Sequence, residues 1–127
     1  MSHIAHIKTS ITNLNALKKA AKRLNGEFRE NQKEFIYYSG QKGECEHAIH
    51  FNNCAYEIGV TKGEGKEFNL AWDPYNVGGL EKVVGKEMGL LKQYYALETA
   101  KQAAMVQGYT SIEKKQKDGS IKLVITV

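Results

Sequence analysis

The spacing of apolar residues changes along the chain, and each spacing predicts a different element. Leu14, Leu17, Ala21 and Leu24 recur three or four apart, which puts them on one face of a helix. Thr12 or Asn13 can cap its start, and Asn25-Gly26 supplies the left-handed residue that ends it. His3 to Ile7, just before the helix, reads as a short strand.

From Glu27 to Trp72 the pattern alternates. Glu27 to Glu30 and Glu34 to Tyr38 read as strands, and ECEHAIHF and CAYEIGV flank Asn52-Asn53, a pair able to make a tight hairpin turn. A two-residue hairpin pairs Phe51 with Cys54, Ile49 with Tyr56, His47 with Ile58 and Cys45 with Val60, all on one buried face. Glu46, Ala48, His50, Ala55, Glu57 and Gly59 then line a wetter face. KGEGK turns the chain into Glu67 to Trp72, where Phe68, Leu70 and Trp72 point inward, and Asp73-Pro74 ends the run.

Helical spacing returns after Gly78-Gly79 with Leu80, Val83, Val84 and Met88, and Gly89 is placed to bend or break the helix. Leu90, Tyr94, Leu97, Ala100 and Ala104 continue as one stripe, closed by a glycine cap at Gly108-Tyr109. The chain ends in a hairpin, Thr110 to Lys117 and Ser120 to Val127, turned at Asp118-Gly119, with Ile121, Leu123, Ile125 and Val127 as its buried face. Together these elements predict a single α+β domain over residues 1–127. An antiparallel sheet of the central strands, the C-terminal hairpin and the N-terminal strand is packed by two main helical segments on one side.

Composition narrows the class. A chain of 127 residues with 42% hydrophobic and 25% charged residues folds as one core and is neither disordered nor collagen-like. No apolar run approaches the roughly 18 residues of a bilayer span, and MSHIAHIKTS lacks the apolar heart of a signal peptide, so a cytoplasmic protein with no membrane partner is expected. Two cysteines exclude a disulfide framework.

Charge is uneven. Residues 1–26 hold Lys8, Lys18, Lys19, Lys22 and Arg23 and no acid, a charge of +5. Residues 108–127 set Lys114, Lys115, Lys117 and Lys122 against Glu113 and Asp118, a charge of +2, while the middle, with 9 basic and 12 acidic residues, carries −3. If the two ends meet in space they form a positive face that attracts phosphate-bearing ligands at low salt. Because 16 of the 18 basic residues are Lys, which lacks the bidentate fork of Arg, a solvated lysine face accounts for the same charges. Tyr37 and Tyr38, adjacent in a strand, put one ring on each face. An exposed ring among lysines can stack on a base, and a ring that merely covers the sheet explains the same pair.

Other chemistry is weaker. Cys45, His47 and Cys54 invite a zinc site, but the two-residue register leaves Cys45 and Cys54 roughly 20 Å apart along the strand direction, too far for one metal or a disulfide. His3 and His6 fall on opposite faces of a strand and lack a third ligand. Cys45 or Cys54 beside His47 or His50 has the parts of an activated thiolate, yet Cys54 points into the apolar face. Residues 59–67, GVTKGEGKE, miss the spacing of a phosphate-binding loop, and Glu67 stands where its hydroxyl should be. Glu57 and Asp73 read as ordinary sheet-edge acids.

The opening residues Met1, Ser2, His3, Ile7, Lys8 and Thr9, the central YEIG (Tyr56 to Gly59) and FNLAWD (Phe68 to Asp73), and the closing QYYALETAKQAAMVQGYTSIEKKQKDGSIKLVITV resemble the Ycf35-like family, also called DUF1257. It is a family of plastids, cyanobacteria, other bacteria and phages. The resemblance implies the same α+β fold and brings no catalytic residue, substrate or cofactor with it. Its phage members imply a small host-modulating binder.

The expectation is therefore a non-enzymatic protein, without cofactor or metal, that binds an anionic ligand, nucleotide or nucleic acid. Lys18, Lys19, Lys22, Arg23, Lys114, Lys115, Lys117, Lys122, Tyr37 and Tyr38 are the candidate contacts. The alternative is a protein-interaction or assembly module, and an enzyme using Cys54 or His47 comes third.

Overall fold

The computed structural model describes residues 4–127, with the side chains of residues 6–9 left aside; His3 and the side chain of His6 therefore lie outside the described part. The fold is α+β. A five-stranded antiparallel sheet, in the order β1-β7-β6-β5-β2, is built from β1 (Ala5–Ile11), β2 (Gly26–Arg29), β5 (His47–Phe51), β6 (Ile58–Lys62) and β7 (Phe68–Trp72). Two hairpins form separate sheets: β3 (Glu34–Tyr37) with β4 (Gln41–Glu44), and β8 (Thr110–Lys115) with β9 (Ile121–Thr126). The helices are α1 (Leu14–Arg23), the short α2 (Leu80–Val84) and α3 (Gly89–Val106). Among the described residues no helix is long and apolar enough to cross a membrane.

Helix α1 forms as its sequence dictates. The Asn13 side chain accepts a hydrogen bond from the Ala16 amide at 3.0 Å, and Asn25, at φ 63°, turns the chain out into β2. Its buried Leu17, Ala20 and Ala21 pack on one face of the sheet with Ile49, Ile58, Val60, Leu70 and Trp72, under α2 and α3. The Tyr95 hydroxyl of α3 accepts from the Thr12 and Asn13 amides at 3.1 and 3.2 Å, fixing one helix on the other.

The opposite face is not the wet one expected. Small residues Ala48, Gly59 and Ala71 lie side by side across β5, β6 and β7 and leave room for Phe35 of the β3–β4 hairpin. A Cβ on Gly59 would sit 2.4 Å from the Phe35 ring, so glycine is required there by close packing. Cys45 joins this second cluster, while Cys54 lies in the main core. The thiols thus occupy opposite faces of the sheet instead of sharing one.

The central hairpin also departs from the two-residue turn. His47 pairs with Val60 and Ile49 with Ile58, a shift of two residues that keeps these side chains on their predicted face. The residues that would have paired are recruited elsewhere. Ala55 donates its amide to the Gly78 carbonyl at 3.0 Å, Tyr56 packs on Gly78, and Glu57 donates its amide to the Ile36 carbonyl at 2.8 Å. Glu57 and Asp73 are buried, at 3% and 1% exposure, which corrects their reading as edge acids.

In the second helical region the break comes at Gly85, φ 87°, followed by Glu87 and Met88 with positive φ, whereas Gly89 is the first residue of α3. The buried stripe of α3 is Leu91, Leu97, Glu98 and Ala104, rotated from the predicted one.

The C-terminal hairpin does not join the main sheet. Lys115 pairs with Ile121, and Gln116 donates its amide to the Ser120 carbonyl at 2.9 Å. The loop therefore holds three residues, with Gly119 at φ 89°, as in a turn followed by a glycine bulge. A two-residue turn would instead have paired Gln116 with Ile121 and turned Lys114 inward. In the observed register Glu113 faces inward with Leu123. Ile125 and Val127 are 44% and 93% exposed, so the buried face shrinks to Ile121 and Leu123. Replacing Gly119 by Val, which tolerates positive φ poorly, is expected to cost about 1–3 kcal/mol in this hairpin. Amide exchange should accelerate in Ile121 to Thr126 and stay slow in β5, β6 and β7.

Candidate functional site

With about 100° per residue and its inner side set by Ala16, Leu17, Ala20 and Ala21, α1 turns Lys22 straight outward, Lys18 and Lys19 obliquely to either side of it, and Arg23 to the flank beyond Lys19. Lys19 and Lys22 are exposed. Lys18 leans over Phe28, its Nζ 5.4 Å from the ring centroid, and pairs with Glu30 at 2.6 Å. Arg23 turns the other way, into the space between α3 and β8.

There its Nε donates to Glu98 Oε2 at 2.6 Å, and Nη1 and Nη2 donate to Glu113 Oε1 and Oε2 at 3.0 and 2.7 Å. Lys101 Nζ donates to Glu113 Oε2 at 2.6 Å, and Tyr94 lies under the guanidinium, 5.5 Å away. Hydrogen bonds from Arg23 and then Lys101 pull the Glu113 carboxyl down to about 2. Reciprocally, the bond to Glu113 is the largest influence holding the Arg23 proton, against the opposing effect of burial. The two ends of the chain therefore meet, and Arg23 is the joint. It is an internal anchor instead of the open ligand contact expected. Beside it lies a groove of about 360 Å³ lined by Arg23, Tyr94, Glu113, Lys115 and Ile121.

The remaining lysines divide. Lys115 shares the inward face with Glu113 and Ile121, Lys117 lies in the turn, and Lys114 and Lys122 stand opposite one another on the outer face beside Ile112 and Val124. Lys19, Lys22, Lys114, Lys115, Lys117 and Lys122 are all exposed, and none enters the ion pairs found among the described residues. Tyr37 and Tyr38 are not near them. The β3–β4 hairpin carries them on the other face of the sheet, where Tyr37 packs on Phe35 and donates its hydroxyl to Gln41 at 3.0 Å. Tyr38 meets Tyr75 edge to face at 5.9 Å.

Two acids that sequence reasoning undervalued shape these surfaces. Glu98 is one anchor of Arg23, 75 residues away along the chain, a separation over which no local pattern pairs the two. Glu57 accepts from Gln32 Nε2 at 2.9 Å and from the Ile36 amide at 3.1 Å, with His50 Nδ1 3.1 Å and Arg29 Nη1 3.5 Å from its other oxygen. It latches β3 to the sheet, and no local pattern announces such a contact.

The sulfur and imidazole groups are enclosed. Burial pushes the Cys45 thiol up to about 11 and raises that of Cys54, so neither is a thiolate near neutral pH. His47 sits between Phe28 and Phe68, at 5.3 and 5.7 Å, and its Nδ1 accepts from the Asn31 amide at 2.9 Å. Burial lowers its pKa.

A family model described as "Protein of unknown function (DUF1257)" matches residues 20–124, a span that holds α1 from its second turn, the whole sheet beyond β1 and the joint at Arg23. The chain belongs to the DUF1257 family. It is 31% identical over 132 residues to "Uncharacterized protein ycf35" of Cyanophora paradoxa, covering 98% of this chain and 96% of the relative. No solved structure matches. Membership of DUF1257 names no ligand, so the chemistry of the surface rests on the residues themselves.

The joint makes a pH-dependent prediction. The Glu113 carboxyl is depressed from its ordinary value near 4.5 to about 2, so its contribution is complete above pH 4.5 and fades as pH falls toward 2. Glu113→Gln should lower the unfolding free energy at pH 7 by about 1–2 kcal/mol, since Arg23 keeps Glu98. The gap between the two proteins in urea titrations should close as the pH approaches 2.

Proposed function

We propose that this DUF1257 protein is a non-enzymatic, cytoplasmic binding protein for an extended polyanion, a nucleic acid strand, gripped by the exposed lysines of α1 and the terminal hairpin. One observation carries the reading. The Arg23 joint holds α1 against β8 while Glu98 and Glu113 neutralise only Arg23 and Lys101, leaving Lys19, Lys22 and Lys115 uncompensated around it. From there positive charge continues over the turn at Lys117 to Lys114 and Lys122 on the outer face. Charge laid along a path suits a chain of phosphates better than a single nucleotide.

A nucleotide pocket would need an aromatic ring free to stack beside the lysines; Tyr37 and Tyr38 lie across the sheet, and Tyr94, which lines the groove next to Lys115, already carries the Arg23 guanidinium on its ring. Lysines also act as point charges, contacting phosphate without reading bases. The binding is accordingly indifferent to sequence and sensitive to salt.

Fluorescence anisotropy with a labelled oligonucleotide tests this. For three or four phosphate contacts, log K should fall with log salt at a slope of about −2 to −3. Lys19→Glu with Lys22→Glu should weaken binding about tenfold or more at low salt while the melting temperature holds. No affinity for oligonucleotides at low salt, or an unchanged affinity in the doubly reversed protein, overturns the reading.

The second reading, a protein-interaction module, draws on exposed apolar side chains at the end of α3 and on the terminal hairpin. Met105, Val106, Ile112 and Val127 are 66%, 86%, 58% and 93% exposed. Under it, Val106→Ser and Ile112→Ser abolish association with a protein partner, and phosphate competitors have little effect.

A further inference from the structure

The YEIG and FNLAWD stretches, which the lysine surface does not use, converge at one end of the main sheet. Tyr56 opens the first and Asp73 closes the second, and both are buried, at 4% and 1% exposure. Asp73 Oδ1 accepts the Tyr75 amide at 3.0 Å, but Asp73 Oδ2 and the Tyr56 hydroxyl have no hydrogen-bond partner. Buried polar atoms are nearly always paired, and an unpaired carboxylate oxygen is the costliest kind to leave.

The corner is tightly built. The Gly78 amide donates to the Tyr75 carbonyl at 3.0 Å, Ala55 donates to the Gly78 carbonyl at 3.0 Å, and the Tyr56 ring lies so close to Gly78 that a Cβ there would be 2.0 Å from it. On the solvent side stand Tyr38 and Tyr75, ring centroids 5.9 Å apart and planes at 71°, with 39% and 42% exposure. Gly78, wedged under the Tyr56 ring and bonded to the Tyr75 carbonyl, and the Tyr75 amide, bonded to Asp73, tie the four residues into one corner. Burial, and then the neighbouring Asp73, Tyr38 and Tyr75, raises the pKa of the Tyr56 phenol.

We propose that Tyr38, Tyr56, Asp73 and Tyr75 form a recognition site for a primary ammonium group. Asp73 Oδ2 and the Tyr56 oxygen accept two of its N–H bonds, and the Tyr38 and Tyr75 rings present their π faces to the cation. The chemistry of the donor set selects this ligand. A hard metal ion takes six or more oxygens, and among the described residues no group of three His, Cys, Asp or Glu is placed to hold a metal. A quaternary ammonium has no N–H to give the two orphaned acceptors, and a guanidinium has five, more than the corner can satisfy. The Trp72 indole N–H is also unpartnered, but as a donor it turns to no cation. The ammonium comes either from a lysine side chain of a protein partner or from a free amine.

Trp72, the chain's single tryptophan, is buried next to Asp73 and reports on the site. Its fluorescence is titrated in the full-length protein with putrescine, with acetyl-Gly-Lys-Gly-amide and with choline, over the millimolar range. Saturable change with putrescine or the peptide, at least about tenfold weaker with choline, is expected. The tighter of the two active probes tells the free amine from the protein side chain. Asp73→Asn, which keeps the acceptor for the Tyr75 amide, should weaken binding about tenfold or more, and so should Tyr75→Ala at its half-exposed position. Oligonucleotide binding should be unchanged in both variants, which separates failure here from failure of the polyanion reading. Equal binding of choline, retention of binding in Asp73→Asn, or no response to any probe overturns the proposal.

Discussion

The terminal third of the molecule depends on one guanidinium. Arg23 spans three elements, reaching Glu98 on α3 and both oxygens of Glu113 on β8 from its place at the end of α1. A two-stranded hairpin is only marginally stable by itself, and β8–β9 pairs with no other strand of the described fold. Its apolar inward face is small, so directional bonds must fix its orientation. A forked donor meeting a carboxylate edge supplies that direction, because two parallel bonds tolerate little rotation. Beyond the modest stability left to such a partly enclosed pair after desolvation, it has a second role. It sets register, since a slip of one residue would take Glu113 away from Arg23 and put Lys114 in its place.

The main sheet meets a different constraint, that of being covered on both faces by elements of unequal size. Helices supply bulk on one side, against Ile, Leu, Val and Trp. On the other the cover is a short hairpin contributing Phe35, and the sheet accommodates it with Ala48, Gly59 and Ala71. Small residues there look polar or neutral in an alternating pattern, so the face reads as solvent-facing when it is an aromatic socket. Glu57 completes the attachment with bonds to both the amide and the carbonyl sides of Ile36, one through its carboxylate and one through its own amide.

What was legible in the sequence was local. The Asn13 cap, the stripe of α1, the exit at Asn25, the glycine after α3 and the inward Phe68, Leu70 and Trp72 each rest on residues within a turn or two of one another. The register of β5 and β6 was not, because Tyr56 and Glu57 are claimed by Gly78 and Ile36, far from the turn that was judged by its own residues. The same holds for the candidate surface. Lysine clustering at the two ends was visible, but the arginine among them is consumed by Glu98 and Glu113, acids separated from it by 75 and 90 residues. The tyrosines failed for the same reason, since nothing nearby tells which side of the sheet a hairpin will cover.

The register that turns Glu113 inward has an outward consequence. It sets Lys114 directly across from Lys122, two like charges on adjacent strands, with apolar Ile112 and Val124 as their nearest neighbours on that face. Like charges in directly opposed positions destabilise a ladder by a few tenths of a kcal/mol to about 1 kcal/mol. The hairpin carries that repulsion without a carboxylate to relieve it on the outer face. A phosphate chain lying across the pair removes the repulsion, and any ligand that binds the folded hairpin in preference to the frayed one stabilises it by mass action. Under the proposed reading, polyanion binding and hairpin order would be one equilibrium: the inward salt bridge that orients β8 also loads its outer face with the charge a polyanion would neutralise.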